Sequence, residues 1–156
     1  MLLVVLKGTW FCQGSEKHMI EFVHLKNLPS FDNKYVFAEC FFQFGDAVVG
    51  DPDVRVLADS LKLSFDDTIL RVNHHDNIFC NAENLVNQLS ILSENVLKNT
   101  VLPTCIESFD GDIGFFIYYN NQEFLVVKTW GTEDFMFIQM SKADYLKQLE
   151  QAVKEL

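Results

Sequence analysis

The chain is poor in basic residues. Its 156 residues include 12 Lys and Arg against 22 Asp and Glu, which gives a formal net charge of −10. A protein that binds DNA or RNA generally needs a basic patch that neutralises phosphates, and an anionic membrane repels an acidic surface. The composition therefore argues against nucleic acid and against a membrane as partners.

Long apolar runs are also missing. The longest stretches without a charged residue are residues 84–93 and 113–122, each half of the roughly 20 residues that a membrane helix needs. The apolar residues 2–6 are too few for a signal peptide and follow no basic segment. We therefore expect an intracellular protein that resides in the cytoplasm.

Cysteine pairs and catalytic motifs are absent as well. Cys12, Cys40, Cys80 and Cys105 form no C-x-x-C pair and have no histidine at zinc-finger spacing, so we expect reduced and mostly buried thiols. The sequence contains no G-x-S-x-G, dinucleotide fingerprint or H-E-x-x-H, and its seven glycines leave little material for a phosphate-binding loop. We expect no catalytic residues, no cofactor and no metal.

Alternating apolar residues predict several strands. The clearest alternation covers residues 35–44 and predicts a central strand. Residues 113–119 and 123–130 flank a turn at 120–122 and predict a hairpin, which residues 135–140 extend to a three-strand meander. Weaker patterns predict strands over 19–25 and over 2–6 that could pair with each other.

Helical spacing occurs in three places. Ser141 with Asp144 resembles a capping box before a C-terminal helix, and Asn81 is positioned to cap a second helix that ends before Pro103. A shorter helix is predicted to begin at Asp51-Pro52. The inward residues expected in these helices are Leu146, Leu149, Val153 and Leu156; Leu85, Leu89, Leu92 and Val96; and Val54, Leu57, Ala58 and Leu61.

The order of these elements predicts an α+β fold. We expect one domain over residues 1–156, with an antiparallel sheet of about five or six strands and two or three packed helices. Residues 64–80 have no readable pattern, and no linker marks a domain boundary.

A small hydrolase is one alternative function. It would use His74 or His75 with one of the carboxylate pairs, as a carboxylate- or metal-dependent enzyme. Neighbouring histidines point in different directions on a strand or a helix, and none of the pairs continues as a calcium loop. We favour solvated loops over this alternative. The pairs are Asp51 with Asp53, Asp66 with Asp67, and Asp110 with Asp112.

The acidic residues are concentrated in two segments. Residues 29–80 and residues 103–135 each have a net charge of −5, while the rest of the chain is close to neutral. This distribution serves solubility, or it forms an acidic face that complements a basic partner protein. The residues that we predict to bind such a partner are Asp46, Asp51, Asp53, Glu107, Asp110, Asp112 and Trp130, with Phe109, Tyr119 and Phe135 as further candidate aromatic anchors.

The layout of short motifs resembles a known family. Residues 44–46 (Phe-Gly-Asp), 50–52 (Gly-Asp-Pro) and 107–111 (Glu-Ser-Phe-Asp-Gly), followed by a strand over 115–119, a paired strand closing at Trp130 and a capped final helix, resemble the immunity proteins of bacterial contact-dependent growth inhibition. The resemblance implies a non-catalytic cytoplasmic antidote that binds and neutralises a cognate toxin domain, which the acidity predicts to be basic and nuclease-like. It carries over no catalytic or interface residues. The alternatives are the hydrolase above and an acidic scaffold or adaptor module without a toxin partner.

Overall fold

The computed structural model describes residues 10–12, 21–95 and 99–156. They contain nine strands, three α-helices and one 3₁₀ helix at Glu107–Phe109. The strands are β1 Trp10–Cys12, β2 Val23–Pro29, β3 Val36–Phe44, β4 Ala47–Val49, β5 Arg55–Leu57, β6 Phe79–Cys80, β7 Ile113–Tyr119, β8 Gln122–Lys128 and β9 Met136–Gln139. The helices are α1 Ala58–Asn73, α2 Leu85–Glu94 and α3 Lys142–Glu155.

The strands form two sheets. The large sheet has the order β1-β9-β8-β7-β6, with an antiparallel centre and a parallel strand at each edge. In the small sheet, β3 pairs antiparallel with β2 on one side and with β4 and β5 on the other. The predicted α+β domain is confirmed, and the strands expected in one sheet are divided between two.

Two apolar clusters surround the large sheet. The larger cluster joins one face of that sheet to the small sheet and to α1 and α3, through residues such as Phe42, Phe65, Leu125 and Tyr145. The smaller cluster lies on the opposite face, which α2 covers through Leu85, Leu89 and Leu92. The protein therefore has a helix on one side of its main sheet and a mixed helix and sheet layer on the other.

The predicted central strand is β3. Its alternate residues Ala38, Cys40, Phe42 and Phe44 are buried, while the residues between them are partly exposed. An apolar face that meets a core produces this alternation because successive side chains of a strand point to opposite sides.

The C-terminal meander is confirmed as well. β7 and β8 are joined by Asn120 and Asn121, whose φ values are 50° and 59°. Asparagine tolerates this left-handed conformation, which a tight two-residue hairpin turn requires. After β9, the hydroxyl of Ser141 accepts a hydrogen bond of 3.1 Å from the Asp144 backbone N–H, which is the predicted cap of α3.

The expected short helix at Asp51-Pro52 is wrong. Residues 52–53 form a turn, Arg55–Leu57 is β5, and the helix begins at Ala58. Leu57 pairs with Phe37 of β3 and is 43% exposed. These residues therefore form an edge strand of the small sheet and not the first turn of a helix. Ala58 and Leu61 are buried as predicted.

The unreadable segment is mainly helix. α1 continues to Asn73, and its buried positions include Ser64 and Thr68. Their hydroxyls donate hydrogen bonds of 2.7 Å to the carbonyls of Thr104 and Ser64 respectively. Polar residues at buried positions hide the apolar spacing on which the prediction of a helix depends.

Two other predicted boundaries move. β2 covers Val23–Pro29 and so ends four residues later than the predicted strand. Residues 19 and 20, the predicted strand over residues 2–6 and the predicted inward residue Val96 lie outside the described residues. Asn81 accepts hydrogen bonds from the backbone N–H groups of Glu83 and Asn84, so it caps a turn that leads into α2. Within the part of the chain that is described, no helix combines the length and hydrophobicity needed to cross a lipid bilayer.

Candidate functional site

Three loops from different parts of the chain meet at Asp112. One oxygen of its carboxylate accepts a hydrogen bond of 2.7 Å from the backbone N–H of Gly50, and the other accepts one of 2.8 Å from Trp130. Because Ile113 pairs with Lys128 at the open end of the hairpin, Asp112 and Trp130 leave the large sheet side by side. Gly50 directly follows β4 of the small sheet, so this one carboxylate links the two sheets.

A second contact fixes the loop after β4. The backbone N–H of Asp51 donates to the carbonyl of Ser108 at 2.6 Å. Gly50 has a φ of +88°, and a Cβ there would lie 2.9 Å from the buried ring of Phe109. Glycine at position 50 therefore allows the close approach that places Asp51 next to the 3₁₀ helix.

The loops bring five of the predicted partner-binding carboxylates to neighbouring positions. Asp51, Asp53, Glu107 and Asp110 are exposed, and Asp112 is partly buried among them. We call these five residues together with Trp130 the acidic loop surface. The two segments that each have a net charge of −5 therefore meet here, since Asp51 belongs to the first and Asp112 to the second.

The electrostatics of Asp112 differ from those of its neighbours. Burial raises the pKa of its carboxyl above the ordinary value, and the negative charges of Asp110 and Asp51 act in the same direction. The hydrogen bonds from Trp130 and Gly50 oppose this rise because they stabilise the ionised form. Asp112 thus holds the loops together, whereas the exposed carboxylates around it can face a partner.

Trp130 is the exposed aromatic of the predicted set. The residue is 79% exposed, while its indole lies against the backbone of Gly111. The predicted anchors Phe109 and Tyr119 are wrong because both are buried in the core, at 2% and 8% exposure, and Phe135 is partly buried on the smaller cluster. A residue next to acidic residues in sequence can still point inward, as Phe109 does from the 3₁₀ helix.

Asp46 is not brought to the acidic loop surface. It lies in the tight turn between β3 and β4, whereas Gly50 and Asp51 follow the other end of β4. Asp46 and Gly50 are four residues apart along this strand, which separates them by about 13 Å. The prediction of Asp46 as part of the same face therefore has no support in this arrangement.

A cavity of about 500 Å³ adjoins the acidic loop surface. Its lining comes from residues 100–113 and includes Glu107, Asp110 and Asp112. The lining also contains Cys105, which is exposed, whereas Cys40 and Cys80 are buried, so two of the three described thiols are buried as expected. Burial raises the pKa of the Cys40 thiol to about 12.

Arg71 on α1 holds the first part of this lining. Its guanidinium donates to the backbone carbonyls of Thr100 and Leu102 and to the hydroxyl of Thr104, while its Nε pairs with Asp67 at 2.8 Å. The wall of the cavity is therefore anchored to the core helix. The sequence offers no direct signal for this role, since Arg71 lies in the segment without a readable pattern.

The histidines of the hydrolase alternative lie elsewhere. His74 Nδ1 is 2.8 Å from the Leu70 carbonyl oxygen at the end of α1. Burial and the charge of Lys142, which donates to the His75 carbonyl, lower the pKa of His75. No described histidine lines the cavity, and His24 is exposed and stacks on Phe41.

Residues 10–12, 21–95 and 99–156 contain no group of three or more His, Cys, Asp or Glu side chains that is arranged to hold a metal ion. The pair Asp66 and Asp67 lies on the exposed side of α1, where Asp67 pairs with Arg71.

No family model matches the sequence. No curated protein and no solved structure matches it either. The resemblance to immunity proteins therefore stays a prediction.

Proposed function

We propose that this chain is a non-catalytic immunity protein that resides in the cytoplasm and binds a basic toxin domain through the acidic loop surface. The observation that carries the proposal is the meeting of Asp51, Asp110 and Asp112, from two acidic segments far apart in sequence, on one side of the fold. Charges spread evenly would serve solubility alone. Charges that converge beside an exposed aromatic residue are typical of a protein interface.

Two further observations support a basic partner. The four ion pairs among the described residues involve none of the five carboxylates of the acidic loop surface, so their charge is not compensated within this part of the chain. A surface of this kind accelerates association with a cationic protein, and added salt screens the effect. Carboxylates grouped in this way can also occupy the phosphate-binding positions of a nuclease.

The decisive experiment is growth rescue. The protein should be produced together with the toxin encoded immediately upstream of its gene, and growth and complex formation should be measured. We expect the double variant Asp51→Lys with Asp110→Lys to lose protection and to associate about tenfold or more slowly. The matched control, Asp59→Lys with Asp66→Lys, makes the same charge change on the exposed side of α1 and should keep both properties.

Three results would contradict the proposal. Absence of rescue by the unaltered protein would remove the immunity function. Rescue that both double variants retain would place the interface on another surface. An association rate that does not change with salt would remove the electrostatic part. Binding of a basic partner other than a toxin, without rescue, would favour the adaptor alternative.

A further inference from the structure

The cavity beside the acidic loop surface has a mixed lining. Pro103, Ile106 and Ile113 provide apolar surface, and Glu107 and Asp110 provide carboxylates. Its volume of about 500 Å³ falls in the range of sites that enclose a small ligand or a long side chain. A lining of this kind suits a group with an apolar stem and a cationic end.

Trp130 does not line this cavity, but its side chain contacts Gly111, which does. Gly111, which lines the cavity, has a φ of +82°, and a Cβ there would lie 2.4 Å from Cδ1 of the indole. The backbone N–H of Trp130 is held at 2.8 Å from Asp112. The backbone of Trp130 is therefore fixed and its ring lies against Gly111, yet the residue is 79% exposed to solvent.

The acidic residues of the cavity and the nearby indole of Trp130 together favour a cationic ligand. A positively charged group is attracted to the face of an indole and to carboxylates that have no ion-pair partner. A guanidinium fits better than an ammonium, because it is planar, stacks on aromatic rings, pairs with carboxylates through two N–H groups and is more weakly hydrated. The apolar stem of an arginine can lie against Ile106 and Ile113.

We propose that this cavity receives an arginine side chain from the surface of the partner protein. The guanidinium stacks on Trp130 and pairs with Asp110 or Glu107, while the methylene groups contact the apolar wall. That the arginine belongs to a toxin rests on the proposed function. The recognition of arginine is a property of this chain alone and can be tested separately.

The test is a nuclear magnetic resonance titration of the full chain with acetyl-glycyl-arginyl-glycinamide at millimolar concentrations. We expect shifts of the Trp130 indole N–H and of the Gly111 and Asp112 amides, weaker shifts with the lysine peptide, and none with the citrulline peptide, which has the shape of arginine without its charge. Trp130→Ala should weaken binding about fivefold or more. Phe31→Ala, at another highly exposed aromatic residue, should leave binding unchanged.

A charge variant completes the test. Glu107→Gln with Asp110→Asn keeps the shape of the cavity and should also weaken arginine binding, and Trp130→Phe should retain part of it. Absence of shifts, shifts at other residues, or equal binding of the lysine or citrulline peptide would overturn the inference. If the toxin complex forms and ignores Trp130→Ala, the arginine site fails while the proposed function stands. If the arginine peptide binds and the toxin is not neutralised, the proposed function fails while the arginine site stands.

Discussion

Arg71 should contribute more to stability than an ordinary surface arginine. Its side chain is 20% exposed, and its guanidinium donates to the carbonyls of Thr100 and Leu102, two fully or almost fully buried residues. Arg71→Met removes these donors and the ion pair with Asp67. A buried polar group left without a partner costs about 1–3 kcal/mol. Because two buried carbonyls lose their donor, we expect a loss of about 2–5 kcal/mol in the free energy of unfolding.

The assay is equilibrium unfolding in urea, followed by circular dichroism. A loss of this size lowers the midpoint by about 1–3 M for a domain with an ordinary dependence on denaturant. The matched control is Arg55→Met, because Arg55 also pairs through Nε with a carboxylate, Glu39, at 2.9 Å, but is 66% exposed. Its loss should be about 0–1 kcal/mol.

Arg71→Lys adds a second comparison. It should fall between the wild-type protein and Arg71→Met, since an ammonium cannot reproduce the planar fork of donors. Equal losses for Arg71→Met and Arg55→Met would refute the reasoning, because they would show that the contacts to the carbonyls add nothing.

Three further predictions concern other sites. Gly111→Ala should destabilise the protein more than Gly131→Ala. Both positions have positive φ, but a Cβ would clash with Trp130 at position 111 and would meet nothing within 4 Å at position 131. The difference between the two urea midpoints measures the clash, and equal midpoints would contradict it. Tyr145→Phe should cost about 1–2 kcal/mol in thermal unfolding, because its buried hydroxyl donates a hydrogen bond of 2.6 Å to a backbone carbonyl; an unchanged midpoint would contradict this. The pKa of His75 is lower in the folded protein than the ordinary value of 6.5, so protonation of His75 favours unfolding as the pH falls below 6.5. The free energy of unfolding of the wild-type protein should therefore decrease on acidification more than that of His75→Gln, and parallel pH profiles would refute this.

Local chemistry made the C-terminal half readable from the sequence. The two asparagines at 120 and 121 adopt the positive φ that their residue type permits, and Ser141 caps α3 through a neighbour three residues away. Both features depend on residues that lie within three positions of each other in the chain. Such signals stay visible because no distant contact is needed to produce them.

α1 could not be predicted because its pattern is set by tertiary contacts. Its buried side includes Ser64 and Thr68, and its exposed side includes Leu63 and Leu70, at 70% and 60% exposure. Spacing rules assume apolar residues inside and polar residues outside, and here both assumptions fail. The hydroxyls are tolerated in the core because backbone carbonyls accept their hydrogen bonds.

The sequence indicated which residues form the candidate site but not how they are arranged in space. The charge distribution identified Asp51, Asp110, Asp112 and Trp130, but the meeting of the two acidic segments depends on the docking of the two sheets. Asp46 shares the sequence signal of Asp51 and lies at the other end of β4. The sequence alone cannot distinguish Asp46 from Asp51, because it does not show that β4 places them at opposite ends of a strand.

The pairing of β1 with β9 has a consequence for the order of folding. Trp10 lies opposite Met136, so this edge of the large sheet joins positions that are 126 residues apart in the chain. Closing so long a loop is entropically costly, whereas the β7–β8 hairpin closes over two residues. The hairpin can therefore form early, and β1 can dock only after β9 has been synthesised and placed. Amide hydrogen exchange should accordingly be faster at Trp10–Cys12 than at the centre of β8.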